Sequence, residues 1–186
     1  MLRGFPLLVA LALLGGCASQ SRVPPSAPPA QVESASFAMN GRISVEHNGE
    51  RHSAGLRWTH LAQSDEVLLL NPLGQTAARV FRDDGHATLD DGSKHYQDVD
   101  VESLMEQVLG WHLPLDGLHH WVLGIADPAT PAQTERAEDG RISALYQGGW
   151  EIKYQRYEGT MPSRLLLTHE DLQVKLLIDE WDWSVK

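Results

Sequence analysis

The chain has 186 residues, 42% of them hydrophobic and 22% charged, and 15 basic against 25 acidic side chains leave a net charge of −10. That length favours one domain with extras over two, and a core of ordinary size needs no disulfide or metal staple. The acidic balance argues against nucleic acid as a partner and against electrostatic docking on anionic lipid, so any membrane contact is expected to be apolar.

Met1-Leu2-Arg3 supplies a short basic start, and Phe5 to Leu14 follows as ten residues that are all apolar or proline. Spanning roughly 30 Å of hydrocarbon takes about 20 residues, so this run has the length of a signal-peptide core instead. It ends Leu14-Gly15-Gly16-Cys17, which resembles the bacterial lipobox, and Cys17 is the one cysteine of the chain. A lone cysteine forms no internal disulfide. The expectation is a signal peptide over residues 1–16, removed to leave Cys17 as a lipid-modified N-terminus. At about 0.8 kcal/mol per buried methylene, three acyl chains hold such a protein on a bilayer almost permanently. Ala18 and Ser19 follow the cysteine in place of an aspartate, which points to the outer membrane. Residues 17–36 carry Pro24, Pro25, Pro28 and Pro29 among Ser, Ala and Gln, the composition of an extended or disordered tether.

The folded part is expected over residues 37–186. Phe37, Met39, Gly41, Ile43 and Val45 alternate as one face of a half-buried strand, and Asn48-Gly49 is a strong hairpin signal. The return strand puts His52, Ala54, Leu56 and Trp58 on one face and Arg51, Ser53 and Arg57 on the other. Glu66 to Leu70, Thr76 to Phe81, His86 to Asp90 and Lys94 to Gln97 continue the meander, with turns at Asn71-Pro72-Leu73-Gly74, Asp84-Gly85 and Asp91-Gly92. The period then changes. Val101, Leu104, Met105, Val108 and Leu109 recur at helical spacing between a capping Asp100 and Gly110. A second short helix is predicted from Leu115 to Leu123 behind Pro114, and a loop from Ala126 to Ala137. Strands resume at Ile142 to Gln147, Trp150 to Tyr157, Arg164 to His169 and Leu172 to Trp181. The fold class is therefore mainly β with a short helical insert, and a curved sheet closing around the helices would cover its apolar face.

No Gly-x-Ser-x-Gly elbow and no Gly-Lys of a Walker loop occurs in the chain, so no catalytic residue and no cofactor is assigned. Of nine histidines, only His119 and His120 with Asp116 suggest a metal group, and they are too sparse for a zinc set. They are expected to be surface or internally satisfied side chains, and no metal is expected. Asp83-Asp84, Asp90-Asp91 and Glu170-Asp171 fall in turns and are expected to be solvated. Six tryptophans are expected in core or rim positions, some of them lining an apolar ligand site.

Asn71, Pro72, Leu73 and Gly74 follow the residue preferences of a type I turn, which leaves a leucine at the tip of a hairpin. Two readings stay open: Leu73 folds back on the sheet, or it stands out as an apolar finger.

Taken in order, the lipobox at Cys17, Asn40-Gly41-Arg42-Ile43, Ser53-Ala54-Gly55 with Trp58, and Asn71-Pro72-Leu73-Gly74-Gln75-Thr76 resemble the LolB family of outer-membrane lipoprotein receptors. The resemblance continues through Leu109-Gly110-Trp111 with Leu113-Pro114, Trp121-Val122-Leu123-Gly124, Gly149-Trp150 with Tyr154, and Lys175 to Trp181. It implies an incomplete antiparallel β-barrel of the LolA and LolB kind, with helices over an apolar cavity that accepts acyl chains. It also implies a protruding loop whose leucine, here Leu73, assists delivery into the membrane. The implied partners are a LolA-like periplasmic carrier, triacylated lipoproteins and outer-membrane phospholipid, met by a monomer anchored in the outer membrane and facing the periplasm. Candidate cavity residues, chosen as inward-facing apolar side chains, are Ile43, Leu56, Trp58, Leu68, Leu104, Leu118 and Trp150. Two rival readings are a lipoprotein of similar fold that binds another amphiphile or scaffolds envelope assembly, and a periplasmic hydrolase.

Overall fold

Alternation of apolar and polar residues from Phe37 onward produces strand after strand. In the computed structural model, which describes residues 36–185, they form one antiparallel sheet of eleven. The expected signal peptide, Cys17 and all but the last residue of the tether lie outside the described residues. Strands β1 (Phe37–His47), β2 (Glu50–Leu61), β3 (Ser64–Leu70), β4 (Thr76–Asp83), β5 (His86–Asp90) and β6 (His95–Asp98) make a first meander. Two helices follow, α1 (Val101–Leu109) and α2 (Leu115–Val122). A second meander comprises β7 (Ala132–Arg136), β8 (Ile142–Gln147), β9 (Trp150–Glu158), β10 (Met161–His169) and β11 (Leu172–Asp182).

The two meanders join through β1 and β11, so the sheet runs β6-β5-β4-β3-β2-β1-β11-β10-β9-β8-β7. Its edges, β6 and β7, are not paired with each other, and the barrel stays open. Both edges are short and polar, with β7 exposed along its whole length, as edges that avoid further pairing tend to be. The chain between those edges is the helical insert. The segment that interrupts the meander therefore has to bridge the sheet's two free edges.

Local chemistry sets the insert's ends. Asp100 caps α1 by accepting from Ser103 N at 2.9 Å, and Gly110 ends it at φ 77 with its N–H on Glu106 O. Val101, Leu104 and Met105 are buried, and α1 packs chiefly on β4, β5 and β6. Pro114 caps α2, which buries Leu115, Leu118, Trp121 and Val122. Gly117 lies under the Trp121 ring, where an added Cβ would come within 2.6 Å of it.

The strands begin and end within a few residues of the sequence expectation, with two differences. Residues 132–136 are predicted as loop but form β7. Being exposed on every residue, this edge strand lacks the alternation by which strands are read. β10 starts at Met161 instead of Arg164, because a register shift around Pro162 admits a residue that cannot donate to the ladder.

Candidate functional site

Inward side chains of the sheet and the buried stripes of both helices enclose a cavity lined only by apolar residues. β1 contributes Met39 and Ile43, β2 contributes Leu56 and Trp58, and β3 contributes Val67 and Leu69. Leu167, Val174 and Leu176 close it from β10 and β11, and the insert roofs it with Met105, Leu109, Trp111, Leu113, Leu115 and Leu118. Its volume is about 50 Å³, well below the ~150 Å³ of a dry cavity that admits benzene. As it stands, the cavity is thus too small to hold a long alkyl chain.

Of the candidate cavity residues, Ile43, Leu56, Trp58 and Leu118 line it. Leu68, Leu104 and Trp150 do not. Leu68 points to the opposite face of β3, paired across the ladder with Arg57 and Arg79. Residues 67–70 are apolar without interruption, so hydrophobicity alone does not reveal the strand's phase; the inward set is Asp65, Val67 and Leu69. Leu104 is buried at 1% exposure, but one helix residue turns it about 100° from the Met105 and Leu109 stripe that meets the cavity. Trp150 points inward at the β8–β9 turn, where Trp121 at 6.0 Å and the stacked His169 at 5.1 Å cover it, and it lines a separate groove. Two methionines missed by the sequence reading, Met39 and Met105, lie on the wall and give it an adaptable surface.

The roof is fastened to the sheet by polar groups at the cavity's margin. Asp65, 2% exposed, accepts from Trp58 Nε1 at 2.7 Å, Arg82 Nε at 2.8 Å and His60 Nδ1 at 2.8 Å. Burial opposes ionisation of this carboxyl most strongly, yet His60 and Arg82 together outweigh it and bring its pKa below the ordinary value. Arg82 also donates to Asp116 on α2 at 2.6 Å. Burial works against its charge first, and the two carboxylates reverse that and raise its pKa. Beside this chain of groups, His60 stacks on His119 at 4.4 Å, and His119 lies 3.8 Å from His120. Burial, then the neighbouring His120 and His60, lowers the His119 pKa to about 4. At the other end of α2, Gln147 accepts from Trp121 Nε1 at 2.8 Å and from Asp127 N, and donates to the Asp127 and Thr130 carbonyls. Tyr154 donates to the Trp121 carbonyl at 3.0 Å.

The turn between β3 and β4 is wired from within. Asn71 Oδ1 accepts from Leu73 N and Gln75 N, both at 3.0 Å, and Asn71 O accepts from Gly74 N at 2.9 Å. Gly74 takes φ +79, a conformation that favours glycine. Leu73 at the tip is 83% exposed. Of the two readings of this residue, the structure has the outward one, on a loop whose own hydrogen bonds hold it in place.

The family described as "Outer membrane lipoprotein LolB" matches residues 35–181. A protein named outer-membrane lipoprotein LolB from Chromobacterium violaceum is 36% identical over 97% of this chain and 99% of its own length. One of the same name from Nitrosomonas europaea is 37% identical over 84% of this chain and 77% of its own. Among solved structures, a DUF1329 family protein from Desulfovibrio piger superposes with a TM-score of 0.50 over 84% of this chain and 89% of that one. At 8% identity, that likeness is one of fold.

Proposed function

The chain belongs to the LolB family, and on that premise we propose that it is an outer-membrane receptor that takes triacylated lipoproteins from a LolA-like periplasmic carrier and inserts them into the membrane. The observation that carries this reading is the wholly apolar cavity roofed by an insert that bridges the sheet's two free edges. Such a roof can lift without breaking any strand pairing, which is what a long alkyl chain requires of a cavity of about 50 Å³. Ile43, Leu56, Trp58 and Leu118 are then acyl-chain contacts, with Met39 and Met105 adjusting to chains of different shape.

Transfer needs no covalent step and no nucleotide. The chains move from a partly covered site in the carrier, through the receptor, to the bilayer, where burial of their surface is complete. The protein is read as a monomer with no catalytic residue. In the full reading, residues 1–16 are removed, Cys17 carries the lipid anchor and residues 17–36 form the tether. The domain begins no later than Phe37, which is 0% exposed and packs against Trp58 and Trp181. The loop Asn71, Pro72, Leu73 and Gly74 contacts the membrane, with Leu73 entering the acyl layer.

The test mixes the mature chain with carrier loaded with a fluorescently labelled triacylated lipoprotein, and then with liposomes. Label is expected to pass to the chain and then to the vesicles without nucleotide. Label that stays on the carrier would count against the reading. Mass spectrometry of the mature N-terminus checks the anchor separately: diacylglyceryl and acyl groups are expected on Cys17, and an unmodified cysteine would refute that part.

A further inference from the structure

The protein carries a net charge of −10, but its charges are not evenly spread. On the outer face of the sheet, opposite the cavity, β1, β2, β3, β9, β10 and β11 line an open groove of about 500 Å³. Its floor is made by small residues, Ser44, Ser53 and Gly55. Leu70 lies across Gly55, where an added Cβ would come within 3.2 Å of the leucine side chain. Leu177 and Leu70 supply apolar patches, and Pro72 of the Leu73 loop forms part of the wall.

Among the described residues, the charged ones lining this groove are Arg42, Arg164 and Lys175, and none that lines it is acidic. The ladder explains their closeness: Arg42 is paired across strands with Leu177, Leu177 with Arg164, and Ser44 with Lys175. Arg42 is answered by Asp179 at 2.9 Å. Arg164 and Lys175 are exposed and have no carboxylate within 4.0 Å among the described residues, and neither has Arg57 close by on β2. Other cations of this face, Arg51, Arg79, Lys153 and Arg156, all have acidic partners. A protein with ten more acidic than basic groups thus leaves Arg164 and Lys175 without a direct carboxylate contact among the described residues, Lys175 feeling only the longer-range pull of Glu46, and Pro72, next to the exposed Leu73, lines the same groove.

We infer that this groove is a docking surface for phospholipid headgroups of the bilayer, in which Arg164 and Lys175 take headgroup phosphates while Leu73 enters the acyl layer. The inference rests on the receptor reading above and deepens it, by adding an electrostatic contact where net charge alone suggests none. Cations held near an anionic lipid surface each add to its attraction, and salt screens them. The small floor residues and the two leucines suit the glycerol and upper acyl region that accompany a phosphate. Docking through this face also fixes the loop's approach, since Pro72 belongs to both features.

The test uses the whole mature chain with Cys17→Ser, so that no acyl anchor competes, and vesicles of phosphatidylethanolamine and phosphatidylglycerol in flotation. Arg164→Glu and Lys175→Glu are each expected to lower the partition coefficient by about tenfold at low salt. Arg136→Glu, the same change of charge on the exposed edge strand β7, is expected to keep wild-type binding. High salt should abolish the difference, and millimolar inorganic phosphate should not displace the protein. Equal losses in all three variants would reduce the effect to net charge and overturn the inference. No loss in either groove variant would overturn it too, as would displacement by free phosphate, which would indicate a small-anion site. Arg164→Gln with Lys175→Gln, checked by thermal unfolding, guards against a folding defect. Acceptance of labelled lipoprotein from the carrier is measured in parallel: it persists if only the groove is misread and is absent if the receptor reading is wrong.

Discussion

Arg82 on the sheet reaches Asp116 on the second helix at 2.6 Å, while its Nε remains on the buried Asp65 at 2.8 Å. One guanidinium therefore ties the cavity's roof to its wall. The two bonds differ in kind, since the Asp116 side chain is 77% exposed and that of Asp65 is 1% exposed.

Asp116→Asn is expected to leave global stability within about 1 kcal/mol of wild type, because exposed ion pairs contribute little. It should nevertheless speed the uptake of a fluorescent hydrophobic probe, since the roof loses a fastening. Asp65→Asn removes the carboxylate from a partly buried arginine and is expected to cost about 3–5 kcal/mol. Denaturant unfolding and stopped-flow probe binding separate the two effects. An Asp116→Asn variant with wild-type uptake would mean that the roof does not move at this end.

His119 makes stability depend on pH in a definite direction. Its folded pKa of about 4 lies below the ordinary histidine value of 6.5. Between those values the unfolded chain binds a proton that the folded chain refuses. Stability therefore declines as pH falls from 6.5 towards about 4, and this contribution is complete above 6.5. Allowing for partial solvent exposure, the loss is on the order of 1–2 kcal/mol. Asp65 acts in the same sense at lower pH, since its depressed pKa stabilises the fold above the ordinary carboxylate range and ceases to do so below it. Melting temperatures measured across this range should fall less for His119→Gln than for wild type. Parallel curves would show that the histidine stack does not couple to folding.

Gly41 sits in close approach to the backbone of β11, at the joint between the two meanders. The β1–β11 register shifts between Asn40, opposite Glu180, and Gly41, opposite Ile178. An added Cβ at Gly41 would come within 2.1 Å of the Leu177 carbonyl oxygen, an atom of the backbone that cannot swing aside. Gly41→Ala is therefore expected to cost at least about 3 kcal/mol through overpacking and loss of ladder bonds. Gly49→Ala meets nothing within 4 Å and is strained only by its φ of +80, so it should cost less. Equal melting temperatures for the two variants would contradict the close approach.

Much of this is legible in the residues, and each part that is not has its own physical cause. Alternation located the strands with one polar face, and Asp100 and Gly110 bounded α1 because capping is local chemistry. Where apolar residues run together, as in β3, hydrophobicity does not give the phase, and Leu68 faces away from the cavity. The inward partner that would have set the phase is Asp65, a residue whose charge suggests solvent until Trp58, His60 and Arg82 are brought to it by the fold. For β7 the difficulty was the reverse, a strand with nothing buried. The basic groove was also hidden, because total charge says nothing about where unpaired cations gather.

Leu73 supplies the sharpest test of how the cavity and the membrane are connected. At 83% exposure it gains nothing from packing, and the turn beneath it is held by Asn71 whatever side chain stands at the tip. Leu73→Glu should therefore shift stability by less than about 0.5 kcal/mol. Cargo acceptance should also survive, because Leu73 is no part of the cavity wall. Insertion should fail, since a carboxylate placed among acyl chains carries a heavy desolvation cost. The basic groove beside Pro72 sharpens the expectation further: the variant should still bind vesicles through Arg164 and Lys175, and yet not deliver. Melting curves, carrier-to-receptor transfer, vesicle flotation and liposome insertion, measured on one preparation, distinguish these steps. A folded Leu73→Glu protein that inserts lipoproteins at the wild-type rate would remove the finger from the mechanism. One that neither binds vesicles nor inserts would shift the membrane contact from the groove to the leucine alone.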